Sequence, residues 1–108
     1  MATDHAKPGE VVDLETWAND LEVEQTKAIV KTEEMELIRL SLPKGKEIPN
    51  HKVKRPIIVH CINGVIEFTS MGATQELKQG ELLHLMPGEP HSVVAIEDAV
   101  VLLTIIFK

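Results

Sequence analysis

Short apolar runs alternate with turn residues along most of the chain, and this rhythm constrains the fold more than any other feature. From Thr26 the period is two. Ala28 and Val30 alternate with Lys27 and Lys31, Thr32-Glu33-Glu34 turns the chain, and Met35, Leu37, Ile38, Leu40 and Leu42 build a returning strand. Pro43 ends it and Gly45 bends the loop. Ile57-Ile58-Val59-His60-Cys61-Ile62 reads as a strand buried on both faces. Asn63-Gly64 is the strongest short hairpin signal, with Val65–Thr69 as the returning partner. Met71-Gly72-Ala73 turns into Thr74–Leu77, Gln79-Gly80 into Leu82–Met86, and Glu97-Asp98 separates His91–Ile96 from the closing run Ala99–Phe107. About nine short strands with turns every 8–12 residues or so fit an all-β sandwich or barrel.

At 108 residues the chain makes one such unit, expected over 26–108. Residues 1–25 precede it as a polar tail and a short helix. Asp13 is placed to cap that helix, and Leu14, Trp17 and Leu21 share one face of it. Only 3% of residues are aromatic, so Val, Ile, Leu and Met must fill the core, and Met35, Met71 and Met86 are expected in core or turn. A net charge of −6 argues against general nucleic-acid binding. No apolar run is long enough to span a membrane, and the polar N-terminus does not resemble a secretory signal. The single Cys61 cannot form an internal disulfide, which suits a reducing, cytoplasmic setting.

Charge is uneven. Between Lys44 and Arg55, five basic residues stand against one acid, Glu47, giving a local +4. Such a run is ordinarily a solvated loop and edge strand, where lysines discourage edge pairing. Its sharper reading is a positive rim for an anionic ligand.

The segment Gly80–His91 carries the chemistry. A glycine turn launches Leu82–Met86, the corner Pro87-Gly88-Glu89-Pro90 stops it, and an imidazole follows at once. This segment, Gly80-x6-Pro87-Gly88-x2-His91, resembles the second motif of the cupin superfamily, and Gly45-x5-His51 with the strand reaching Gly64 resembles the first. Together they run from Gly45 to about Ala95, and the flanking strands suit the rest of a small barrel. The resemblance implies a cupin-type double-stranded β-helix, a jelly-roll barrel, behind a short N-terminal helical extension. It also implies a homodimer packed through one sheet face, which the runs Ile57–Ile62 and Ala99–Phe107 suit because both are too apolar for one wet face.

Many cupins hold a metal with His-x-His, a glutamate and one further histidine. Here His51 matches the first histidine and His91 the last. Val53 stands where the second histidine would be, and Ile57 stands at the glutamate position. Two of four ligands are therefore apolar, and two imidazoles alone hold a metal weakly. A third must come from elsewhere. Alternation puts Cys61 on the face of Ile57 and Val59. If Glu81 faces water, Leu82, His84 and Met86 face inward. His60 lies opposite Cys61 unless a bulge shifts the register.

For each of these residues a bland reading competes. His51 and His91 also read as pocket histidines bonded to backbone, His60 and His84 as satisfied core or interface residues, and Cys61 as a small buried hydrophobe with no paired histidine to activate it. Glu67 and Glu81 are expected outside, which leaves acid–base work to histidine. Gly-rich phosphate loops and serine elbows are absent.

Three functions follow, in this order. The first is a small-molecule-binding cupin with its metal centre reduced or lost, its pocket lined by histidines and its ligand small and anionic. The second is a dioxygenase- or isomerase-like enzyme using one divalent transition metal on His51, His91 and one or two of His60, His84 and Cys61. The third is an interaction module without a ligand.

Overall fold

The computed structural model describes residues 5–14 and 26–107. Nine strands follow one another: β1 (Thr26–Lys31), β2 (Met35–Leu42), β3 (Glu47–His51), β4 (Ile57–Asn63), β5 (Val65–Ser70), β6 (Ala73–Lys78), β7 (Leu82–Leu85), β8 (His91–Ala95) and β9 (Ala99–Ile106). All pairs are antiparallel. They form a five-stranded sheet in the order β1-β2-β9-β4-β7 and a four-stranded sheet in the order β3-β8-β5-β6. The all-β jelly-roll expectation therefore holds. Among the described residues no helix is long and apolar enough to cross a membrane. The expected helix Leu14–Leu21 lies outside the described residues except for Leu14, which sits in a turn.

The core lies between the sheets and follows the period of two. In β4, Ile57, Val59 and Cys61 point inward, and β5 answers with Ile66 and Phe68. Val93 and Ala95 of β8 and Ala99 and Val101 of β9 complete it with Leu42, Leu77 and Leu85. Phe68 and Ile66 are almost wholly removed from water, each worth roughly 1.5–3 kcal/mol of transfer free energy. The N-terminal segment packs along the larger sheet. The Ala6 amide donates to the Ile29 carbonyl, and the Arg39 Nε on β2 donates to the Leu14 carbonyl at 3.1 Å.

Strand pairing corrects three local expectations. Asn63-Gly64 does not close a hairpin: β4 pairs with β7 and β9, whereas β5 pairs with β6 and β8 in the other sheet, so the turn carries the chain from one sheet to the other. A shift between Ala28 and Val30 buries Ile29, while its neighbours stay half-buried. In β7 the inward residues are Leu83 and Leu85, because pairing with β4 sets Leu83 opposite Val59 and Leu85 opposite Ile57. Leu82, His84 and Met86 are exposed, not inward. Glu81 is no guide to the phase of this strand. It lies before the strand, where its carboxylate accepts from the Lys78 amide and its carbonyl from the Cys61 amide. Met35 is exposed as well, and Met71 is exposed in a turn, so among the described residues methionine does not fill gaps in this core.

Gly64 shows how closely the β4–β5 and β8–β9 connections, both of which pass between the sheets, lie together. Its φ is +82°, and a Cβ there would overlap the Asp98 carbonyl and lie 2.8 Å from the Ala99 Cα. Only glycine fits, since it alone adopts this backbone freely and lets the β8–β9 connection approach so closely.

Candidate functional site

Two corners meet at the edge of the smaller sheet. β3 pairs with β8 through Glu47↔Val94 and Ile48↔Val93, and continuing that register would set Asn50 opposite His91. An extra residue enters β3 at Pro49-Asn50, so His51 takes that place instead. Pro49 cannot donate to a ladder, and an edge strand is where such a residue is tolerated. From the other side, the Gly88 amide donates to the Val53 carbonyl at 2.7 Å, which ties the Pro87–Pro90 corner to the chain leaving β3. Gly88 takes a φ of +80° there.

The result is a histidine pair. The two ring centroids lie 4.3 Å apart with planes at 60°, and Phe68 stacks on the inner ring, His91, at 5.4 Å. His91 is 4% exposed, whereas His51 is exposed. Each ring is anchored in the same way. His51 Nδ1 lies 3.0 Å from the Pro49 carbonyl, and His91 Nδ1 lies 3.0 Å from the Glu89 carbonyl. A carbonyl only accepts, so each Nδ1 carries the proton and each Nε2 keeps the lone pair. No described buried side-chain nitrogen or oxygen lacks a partner, and His91 Nε2 makes no hydrogen bond, so it must touch accessible space. Burial pushes the His91 pKa below the ordinary imidazole value. The neighbouring His51 adds to this, while the Glu89 carbonyl and carboxylate oppose it.

Behind the pair is a cavity of about 150 Å³ between the sheets. Its wall is apolar apart from the histidines: Val59, Ile66, Phe68, Val93, Val101 and further aliphatic side chains. The sequence expectations divide here. His51 and His91 line the cavity together. Cys61 faces inward but is fully buried away from the wall, its Sγ 3.5 Å from the Asn63 and Gly64 carbonyls. Burial raises its pKa, the reverse of what a thiolate ligand or nucleophile needs. His60 and His84 lie on the outer face of the larger sheet, His60 between Leu82 and Leu102, His84 opposite Ile58. Neither approaches the cavity, because each alternates with an inward neighbour. Ile57 is core and Val53 packs beside the core; neither is in the cavity wall, and β4 supplies Val59 instead. Phe68 was missed as a site residue. Its place on the inward phase of β5 was the available signal.

The family model for the cupin domain matches residues 38–107. The chain belongs to the cupin family. The cupin's fold is shared with a conserved protein of unknown function from Streptococcus pyogenes, at a TM-score of 0.79 and 24% identity over 97% of this chain and 93% of that one. KdgF from Halomonas sp. superposes with a TM-score of 0.74 at 21% identity, covering 78% of each chain. A cupin superfamily protein from Desulfitobacterium hafniense does so at 0.80 with only 10% identity, over 98% and 97% of the two chains. No curated protein matches the sequence.

The family's metal does not fit these residues. Imidazoles that donate Nδ1–H to a carbonyl and keep Nε2 free are oriented as metal ligands are. However, no group of three or more His, Cys, Asp or Glu side chains able to hold a metal occurs among the described residues. The cavity wall carries no further ligating side chain beside His51 and His91 among the described residues, and a transition-metal site needs more than two protein ligands.

Proposed function

We propose that this cupin is a binding protein for a small, largely apolar molecule held between the two sheets, without a protein-built metal centre. The observation that carries this is the cavity itself: about 150 Å³ of apolar space with two imidazoles on its wall. An apolar cavity of this size suits a benzene-sized guest. Because the walls belong to both sheets, the site is preformed and needs little ordering to bind. The basic residues Lys52 and Lys54 follow His51 directly and favour approach of polar or anionic molecules to that end of the fold.

The test is a nuclear magnetic resonance screen of benzene-sized compounds on protein treated with chelator. Shift changes centred on Val59, Phe68 and Val101 are expected. A screen in which no compound moves these signals sinks the reading. Metal content is measured alongside, in wild type and in the double variant His51→Ala with His91→Ala. Stoichiometric metal held by wild type and lost in the variant would transfer the proposal to a metal-dependent enzyme.

The same proposal includes a homodimer. The outer face of β9, β4 and β7 is mainly apolar, with Leu102, Ile106, Ile58, Ile62 and Leu82 beside His60 and His84. A second copy of the chain would cover it.

A further inference from the structure

The polar end of the cavity offers hydrogen-bond acceptors and no donors. Both Nδ1–H groups are spent on the Pro49 and Glu89 carbonyls, so each neutral imidazole presents only the Nε2 lone pair. The rest of the wall is aliphatic or Phe68 and carries no hydroxyl, amide or cationic side chain. A guest with a carboxylate head would lose its hydration there and meet lone pairs. A guest with a hydroxyl would donate to a nitrogen that is otherwise unpaired and nearly out of water. His91 is the principal acceptor, since His51 is exposed and exchanges with solvent.

Resting on the cavity as the ligand site, we infer that it selects hydroxylated apolar molecules of about benzene size, phenols and compact alcohols, over carboxylates and over plain hydrocarbons. The hydrocarbon body fills the space between Val59 and Val101, and the hydroxyl meets His91 Nε2. This selection reverses the anionic ligand expected from the basic run.

The test compares phenol, toluene and benzoate by calorimetry at about pH 8, where free imidazole is neutral, with chelator present. Phenol should bind about five- to tenfold more tightly than toluene, the increment of one net hydrogen bond, and benzoate more weakly than both. In His91→Phe the preference should reverse in favour of toluene, because the phenol hydroxyl then loses its hydration without an acceptor. Independently of any variant, the His91 Nε2 nitrogen resonance should move on adding phenol and not on adding toluene. Equal binding of phenol and toluene, tighter binding of benzoate, or an unmoved Nε2 resonance with phenol bound would overturn the selection while leaving the cavity as a binding site. Failure of all three compounds would remove the binding site itself.

Discussion

Phe68 lies nearly flat against His91, with ring planes 11° apart and centroids separated by 5.4 Å. One phenyl ring is thus both the largest fully buried side chain among the described residues and the wall that fixes the plane of the inner imidazole. Core and site share a residue, so their energetics are linked. Phe68→Ala is expected to cost about 3–5 kcal/mol in urea unfolding, and Phe68→Leu roughly 1–2 kcal/mol. The leucine variant should also weaken guest binding. A loss under 1 kcal/mol or so for the alanine variant would contradict this packing.

Stability should carry a histidine signature in pH. Burial lowers the His91 pKa from its ordinary 6.5, with His51 adding to the effect. The unfolded chain therefore takes up the proton first as pH falls. Stability from this group is complete above the unfolded value and is lost as pH falls through the folded one. Urea midpoints measured from about pH 7 to about pH 5 should decline more steeply in wild type than in His91→Gln. Parallel curves would show that His91 does not resist protonation.

Gly64 and Gly72 separate two reasons for glycine. Both take positive φ, at +82° and +77°, but only Gly64 has backbone against its missing Cβ. Gly72→Ala should cost only conformational strain, on the order of 1 kcal/mol. Gly64→Ala adds a collision with Asp98 and Ala99 and should lower the melting temperature by roughly 10 °C or more. Equal melting temperatures for the two variants would contradict the close approach of the β4–β5 and β8–β9 connections.

Cys61 should behave as a structural thiol. It is fully buried and its pKa is raised, first by burial. Labelling by a thiol reagent should be slow in native buffer and accelerate as urea approaches the unfolding midpoint. Rapid stoichiometric labelling of the native protein is the contrary result.

The proposed dimer is checked by sedimentation at micromolar concentration. Wild type should run near twice 12.0 kDa, and Leu102→Glu, at the centre of the outer face, near 12.0 kDa. A monomeric wild type would leave that apolar face unexplained.

The succession of nine strands, the shared face of Ile57, Val59 and Cys61, and the meeting of His51 with His91 were legible as sequence, whereas the sheet to which each strand belongs was not: β5 pairs with β6 and β8, not with β4. Turn residues and a period of two are local properties, and they survive wherever the chain is placed. The phase of each strand is different. His84 and Ile29 depart from expectation because inward and outward are set by the partner strand and by bulges, and a slip of one residue exchanges the faces. Cys61 was placed on the correct face, yet depth along the sheet, which alternation does not encode, keeps it from the cavity. The sequence by itself determined a two-sheet barrel, because that depends only on which residues are present and in what rhythm. The tertiary structure alone decided which ring nitrogens are free and how large the cavity is, because both depend on long-range approach of β3, β5 and β8.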